Sequence, residues 1–155
     1  MPKILKKFPE PSEFVQQCNV VKFCFHMASK YPDLELINAS MNGSYIPGSA
    51  PKVEKKWINF KNIKSYVIEN FRWKLINMLK ASGCLRKGFP DLNLPVPRGI
   101  WHGLYIELKK KSSGRLSGDQ IWWINQLTEQ GYYACTCRGE EAAKRLLIEY
   151  VSGKL

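Results

Sequence analysis

The sequence predicts a single α/β domain in which helices and strands alternate along the chain. Its 155 residues are 45% hydrophobic and 24% charged, a composition typical of one globular domain. Apolar spacing and turn residues give the order helix, strand, helix, strand, strand, helix, strand, helix. Because the chain has no internal repeat or low-complexity linker, we assign residues 1–155 to one domain.

The first predicted helix lies in the segment PSEFVQQCNVVKFCFHMASKYP. Ser12 is a suitable N-cap, and Pro32 limits the helix at its other end. The helical spacing predicts a buried stripe made of Phe14, Cys18, Val21 and Phe25. Glu13 and Gln17 are four residues apart and share a face outside the middle of that stripe.

The next segments read as a strand, a loop and a helix. LELINASMNG predicts a strand that ends in a turn at Asn42-Gly43, and SYIPGSAPK is a loop. Residues from Val53 to Ser82 are predicted to be mostly helical, with Gly83 as the stop. The basic exterior of this helix has two interpretations, a solvated face or a contact with nucleic acid.

A β-hairpin is predicted in the second half of the chain. A short strand from Leu92 to Val96 is ended by prolines and a Pro97-Arg98-Gly99 turn, and an apolar strand begins at Leu104. Ser117 then caps a helix that ends at Gly131. The strand YYACTC and the helix GEEAAKRLLIEYV complete the chain.

The chain is strongly basic, with 24 Lys and Arg against 13 Asp and Glu and a formal charge of +11. This imbalance favours a polyanionic partner, either a phosphate backbone or an anionic membrane surface, although a solubility function is also consistent with it. The sequence has neither a stretch of membrane-spanning length nor the apolar core of a signal peptide, so we expect a cytoplasmic protein. Without a GxxxxGK[ST] loop we expect no nucleotide cofactor.

Two carboxylates and a lysine are predicted to meet at one edge of the hairpin. Asp91 precedes the first strand and Glu107 lies near the end of its antiparallel neighbour. Mg²⁺ favours one or two carboxylates together with waters and phosphate oxygens. Lys109, on the same face as Glu107, could orient a water or stabilise charge on phosphorus, which fits metal-dependent phosphodiester hydrolysis. The alternative is an ordinary Glu-Lys alternation on a solvent-facing strand.

The residues around this pair resemble a known nuclease family. Pro90-Asp91 followed by Glu107-Leu108-Lys109 is similar to the PD-(D/E)XK signature, which is loose by itself. The flanking segments are more specific. Residues 79 to 147 closely resemble the virus-type replication-repair nuclease (VRR-NUC) domain. The resemblance lies in the segment LKASGCLRKGFPDLNLP, the IELK strand, and a Gly-Arg-Leu-Ser turn before a Gln-initiated helix. The resemblance implies a mixed β-sheet flanked by helices, with a basic helical insertion at about 45–78.

The resemblance also implies roles for individual residues. Asp91, Glu107 and the backbone carbonyl of Leu108 would be ligands of Mg²⁺, with Mn²⁺ able to substitute. Lys109 would be the catalytic lysine. Glu13 would be an accessory acid near the metal and a further ligand candidate, and Gln120 a site residue at the start of its helix.

From these features we predict a metal-dependent endodeoxyribonuclease. The residues expected to contact the DNA backbone are Arg86, Lys87, Lys110, Lys111 and Arg115. Small stand-alone members of the family are typically phage or bacterial proteins that act as dimers on branched DNA, so the resemblance implies a homodimer, located in the host cytoplasm if phage-encoded. Two alternatives remain, a non-catalytic DNA-binding protein on the same scaffold and an interaction protein that captures an acidic partner.

Overall fold

The computed structural model describes residues 10–40 and 74–155. The chain divides into two compact units, Met1–Ser44 with Gly88–Leu155, and Tyr45–Lys87. The described elements are α1 (Glu13–Met27), a 3-10 helix (Pro32–Leu36), β1 (Asn38–Ala39), α2 (74–81), β2 (Leu92–Leu94), β3 (Leu104–Lys109), α3 (Gly118–Glu129), β4 (Tyr133–Arg138) and α4 (Glu140–Val151).

A four-stranded mixed sheet forms the centre of the first unit. Its strand order is β1-β2-β3-β4, with antiparallel pairing of β1 to β2 and of β2 to β3 and parallel pairing of β3 to β4. The α/β fold class, the mixed sheet and the hairpin predicted from the sequence are therefore confirmed.

Strand β3 is buried on both of its faces. Leu104, Ile106 and Leu108 are 0 to 1% exposed and pack in the apolar core with side chains from α1 and α4. The opposite face carries Glu107 and Lys109, which are 1% and 5% exposed. The interpretation of this pair as part of a solvent-facing strand is therefore wrong.

Helix α1 begins where the sequence predicts, but it buries a different face. The Ser12 hydroxyl accepts a hydrogen bond from the Val15 N–H at 3.3 Å, which confirms the cap. Phe14 and Phe25 of the predicted apolar stripe are exposed, whereas the buried residues are Gln16, Gln17, Val20 and Cys24. The prediction fails because a glutamine can be buried when its amide finds backbone partners, and such partners are set by tertiary structure.

Within its described part, residues 34–40, the strand predicted over LELINASMNG is largely wrong. Pro32–Leu36 forms a 3-10 helix, and among the described residues of this segment strand pairing is limited to Asn38 and Ala39. The predicted turn at Asn42-Gly43 and the predicted loop SYIPGSAPK lie outside the described residues. A proline at the start favours a helical turn, and an ion pair between Asp33 and the Arg98 guanidinium attaches this turn to the segment after β2.

Two further predictions concern the ends of helices. Ser117 and Gln120 form a capping box at the start of α3, and Gly131 follows the end of α3 with a φ of +81°. Both predicted boundaries are confirmed.

Part of the predicted basic helix lies among the described residues of the second unit. Residues 74–81 are helical, and Gly83 follows with a φ of +77° that favours glycine. The remainder of the helix predicted from Val53, and most of the insertion predicted at about 45–78, lie outside the described residues, so the insertion stays a prediction. Among the described helices, none is long and apolar enough to cross a membrane.

Candidate active site

The register of the hairpin brings Asp91 and Glu107 to the same position of the sheet. Leu92 pairs with Ile106, so continuing the antiparallel register by one residue places Asp91 opposite Glu107. The backbone N–H of Leu108 donates to Asp91 Oδ2 at 2.8 Å, which fixes the carboxylate beside β3. The two residues that the sequence predicts as metal ligands therefore lie together.

Lys109 lies against Glu107 at the end of β3. Its Nζ is 2.7 Å from Glu107 Oε1 and 3.9 Å from Glu13 Oε1. The ammonium therefore connects a carboxylate of the sheet with one from the first turn of α1.

Gln120 contacts the site through the same amide that caps helix α3. Its Oε1 accepts from the Ser117 N–H at 2.9 Å, and its Nε2 donates to Glu107 Oε1. This arrangement leaves the amide no freedom to rotate, because a flip would face oxygen with oxygen at Glu107. The start of α3 therefore orients the Glu107 carboxylate.

Burial makes these carboxylates difficult to ionise. Asp91 is 5% exposed, and loss of hydration raises the pKa of its carboxyl to about 6, with the Leu108 N–H and Lys109 acting in the opposite direction. Loss of hydration, followed by the charge of Asp91, raises the pKa of Glu107 to about 7, although Lys109 favours its ionised form. One ammonium thus compensates incompletely for two buried carboxylates.

Glu13 lies at the margin of this group. Its side chain is about one third exposed, and its charge is a minor cause of the raised pKa of both Asp91 and Glu107. Within residues 10–40 and 74–155, no group of three or more His, Cys, Asp or Glu side chains is arranged to hold a metal ion. The described residues therefore offer two carboxylates, and the accessory role of Glu13 stays a prediction.

The Leu108 main chain faces Asp91. In a paired strand, the N–H and C=O of one residue point to the same side. Since the Leu108 N–H donates to Asp91, the Leu108 carbonyl is also directed to the Asp91 side of β3, beyond the end of β2. This orientation is compatible with the predicted contribution of that carbonyl to a metal site.

A glutamine and a serine hold the Asp91 backbone in place. Gln17 Nε2 donates to the carbonyl oxygens of Asp91 at 2.7 Å and of Ser40 at 2.8 Å. The Ser40 N–H donates to the Asp91 carbonyl, and the Ser40 hydroxyl to that of Pro90, each at 2.7 Å. The helical spacing predicts that Gln17 and Glu13 share a face of the helix. No sequence pattern indicates the contacts of Ser40, which is distant along the chain.

The loop after β3 passes close to Lys109. A Cβ atom added at Gly114, whose φ is +107°, would lie 3.0 Å from Lys109 Cδ and 3.5 Å from Glu13 Oε1. Glu10, which sequence reasoning missed, accepts hydrogen bonds from the Lys111 N–H at 2.5 Å and from the Ser112 hydroxyl at 2.5 Å. A glycine and a surface acid thus shape the loop beside the lysine.

The residues predicted to bind DNA lie in both units. Lys111 and Arg115 are exposed and Lys110 is half-buried on the loop after β3, whereas Arg86 and Lys87 are exposed in the second unit. The Lys111 chain lies across Gly139, since a Cβ there would be 2.5 Å from Lys111 Cε.

Sequence reasoning did not select Arg138. It is exposed, pairs in register with Lys109 across β3 and β4, and donates to the Gly114 carbonyl at 3.3 Å. Its position adds a guanidinium to the site end of the sheet.

We expect the metal-free protein to lose stability as the pH rises from about 4 to about 7. The folded-state pKa values of Asp91 and Glu107, about 6 and about 7, exceed their ordinary values of 3.8 and 4.5. Between those values the folded chain binds more protons than the unfolded chain, so the free energy of unfolding falls with rising pH. Asp91→Asn and Glu107→Gln should each flatten this dependence and stabilise the protein near pH 8, as measured by denaturation in EDTA.

Glu140→Gln is the control for this measurement. Hydrogen bonds from Asn19 and Lys144 hold the pKa of the Glu140 carboxyl below its ordinary value, so neutralising it should bring no gain in stability near pH 8. A native chain whose unfolding free energy rises from pH 5 to pH 8, with no gain from either site variant, would contradict the prediction.

Comparison with known proteins supports the fold described above. Residues 72–141 match the family model of the VRR-NUC domain. A solved structure titled "VRR_NUC domain protein" is similar with a TM-score of 0.60 and 21% identity, covering 93% of this chain and 91% of that chain, which shows a shared fold. No curated protein matches the chain. The predicted resemblance is confirmed: residues 72–141, which include Asp91, Glu107, Lys109 and Gln120, are similar to the VRR-NUC domain.

Proposed function

We propose that this protein is a Mg²⁺-dependent endodeoxyribonuclease that hydrolyses phosphodiester bonds. The observation that carries the proposal is the pair of nearly inaccessible carboxylates, Asp91 just before β2 and Glu107 on β3, with Lys109 against Glu107. The VRR-NUC match over the same residues supports a nuclease-type reaction.

The donor set fits a hard divalent cation. Two carboxylates and one ammonium leave the buried group with a net negative charge, and Glu13 adds to it at the margin. Asp91, Glu107 and the Leu108 carbonyl would hold Mg²⁺, or Mn²⁺ in its place, with waters and phosphate oxygens as the other ligands. A bound divalent cation would supply Lewis-acid stabilisation of the phosphoryl oxygens and acidify a bound water.

The remaining residues have roles that follow from their contacts. The Lys109 ammonium lies beside the Glu107 carboxylate at the C-terminal end of β3. There it can hydrogen-bond a water or a non-bridging phosphate oxygen and stabilise charge that develops during hydrolysis. Gln120 orients Glu107, and Gln17 fixes the Asp91 main chain. Glu13 would tighten cation binding through its charge.

The cost of burial favours an enzyme over a non-catalytic DNA-binding scaffold. Neutral side chains at positions 91 and 107 would avoid the desolvation that raises the pKa of both carboxyls. A protein that only bound DNA, or only captured an acidic partner, would gain nothing from two buried acids next to its basic surface. We also propose that the protein acts in the cytoplasm, in that of the host cell if it is phage-encoded.

We expect three variants, Asp91→Asn, Glu107→Gln and Lys109→Met, each to cleave DNA more slowly in Mg²⁺ by a factor on the order of 10² or more. The reason is that each variant removes a group that acts on the reacting phosphate or its cation. Asp91→Asn and Glu107→Gln should also abolish the rise in melting temperature that Mg²⁺ produces in the native chain, whereas Lys109→Met should retain it. Cleavage of labelled DNA and thermal denaturation with and without Mg²⁺ measure the two effects.

Lys154→Met is the matched control for the lysine, since Lys154 is an exposed residue at the end of the chain. It should cleave and respond to Mg²⁺ as the native chain does. Native rates of cleavage by Glu107→Gln would exclude this carboxylate from the reaction, and an intact scaffold that cleaves no DNA would support the non-catalytic alternative.

We propose that DNA is bound mainly through its phosphates by Lys110, Lys111, Arg115, Arg86 and Lys87. The logarithm of affinity should fall with the logarithm of salt concentration by roughly 0.9 per neutralised phosphate on duplex DNA. Replacing Lys110, Lys111 and Arg115 together by Gln should flatten that slope for all sequences alike, because phosphate contacts carry no base information. Binding isotherms at several salt concentrations measure it, with Lys22, Lys30 and Lys154 replaced by Gln as a charge-matched control. An unchanged slope would place the DNA elsewhere.

We further propose a homodimer that prefers branched DNA, such as a four-way junction, to linear duplex. One site cuts one strand, so paired cuts in a branched molecule require two sites at a fixed separation, most simply in a two-fold dimer. The expected results are a dimer mass by light scattering and faster cutting of junctions than of duplex. A monomer that cuts linear duplex as fast as junctions would refute this part and leave the nuclease proposal standing.

A further inference from the structure

An exposed tryptophan lies on the helix that contacts the candidate active site. Trp122 is 51% exposed in the second turn of α3, and Gln120, in the first turn of the same helix, contacts Glu107 through its amide. Its neighbour Ile121 is 47% exposed. An indole presented to solvent at this position covers no part of the described core.

Among the described residues, Trp122 is also one end of a row of aromatic rings. Its ring meets that of Trp123 edge to face at 5.0 Å, Trp123 meets Phe89 at 5.0 Å, and Phe89 meets Tyr105 of β3 at 5.9 Å. Tyr105 belongs to the strand that carries Glu107 and Lys109. The row therefore supports the exposed indole from the same strand that positions the reactive groups.

A ring held in this way is suited to stacking. Edge-to-face contacts fix the orientation of an aromatic side chain before a partner arrives, so little conformational entropy is lost on binding. Nucleobases stack on such platforms whatever their identity, since every base has a π-face. In duplex DNA the bases are stacked on one another, and a base becomes available when it is unpaired.

The positive charge near the site favours a nucleic acid as the partner of Trp122. The chain has a formal charge of +11, the site end of the sheet carries Lys109 and Arg138, and Lys111 lies beside Gly139 just after β4. These positive charges would attract a phosphate backbone, whose bases could then reach Trp122 on α3.

We infer that Trp122 is a stacking platform for an unpaired base of the DNA bound at the active site, and so a determinant of substrate structure. The inference rests on the proposed function, because it names the form of DNA that the same site receives. It gives selectivity for single-stranded, gapped or branched regions over continuous duplex, without base specificity.

Binding in EDTA separates this inference from cleavage. Trp122→Ala should bind a single-stranded oligonucleotide and a gapped duplex about tenfold more weakly than the native chain, with little change for continuous duplex. Trp122→Phe should retain most of the affinity. Phe25→Ala, which removes a 58% exposed aromatic side chain on α1, is the matched control and should bind all three as the native chain does.

A fluorescent base gives a direct readout of stacking. Emission from 2-aminopurine in the single strand should be quenched by the native chain and by Phe25→Ala, and recover with Trp122→Ala. Equal quenching and equal affinity for Trp122→Ala and the native chain would overturn the inference, as would failure of the native chain to bind single-stranded DNA. A dimer that Trp122→Ala converts to monomer, as seen by light scattering, would assign this surface to a second copy instead. The nuclease proposal has a separate test, since it fails when bound DNA is not cut after Mg²⁺ is added.

Discussion

The antiparallel pairing of β2 with β3 is the constraint on which the candidate site depends. Because Leu92 pairs with Ile106, Asp91 follows opposite Glu107, and the Leu108 N–H donates to the Asp91 carboxylate at 2.8 Å. A shift of one residue in this register would turn Glu107 and Lys109 into the apolar core and turn Leu108, between them, to the face that carries the site. The core that holds Leu104, Ile106 and Leu108 at 0 to 1% exposure thus also fixes where the charged groups lie.

The burial of two carboxylates in the candidate site is electrostatically unfavourable. Loss of hydration raises the pKa of both Asp91 and Glu107, and a single ammonium from Lys109 compensates in part. Apolar packing behind β3 and hydrogen bonds from Gln17 and Gln120 keep the carboxylates in place despite this cost. A cation that binds the ionised carboxylates would stabilise the fold and the functional state together.

Much of this arrangement could be predicted from the sequence because it is local or follows strand periodicity. Glu107 and Lys109 share a face by the period of two, the hairpin turn joins their strand to Asp91, and the Ser117 cap fixes the start of α3. The buried face of α1 could not be predicted in this way, since Gln17 is buried by carbonyl oxygens of Ser40 and Asp91 that no helical pattern reports. The sequence predicts Ser40 within a strand and does not indicate its hydrogen bond to Pro90, because that contact joins segments far apart in sequence.

Gln120 both caps helix α3 and contacts the candidate site. In a capping box, the side chain at the third helical position returns to the N-cap backbone and uses its oxygen there. A glutamate in this position would cap equally well but would direct a third negative charge at Glu107. Glutamine satisfies the cap with its oxygen and leaves its NH₂ group to donate to the buried carboxylate. The requirement for a donor toward Glu107 therefore explains the choice of glutamine, and the rigidity of the cap explains why the first turn of α3 is held against Glu107.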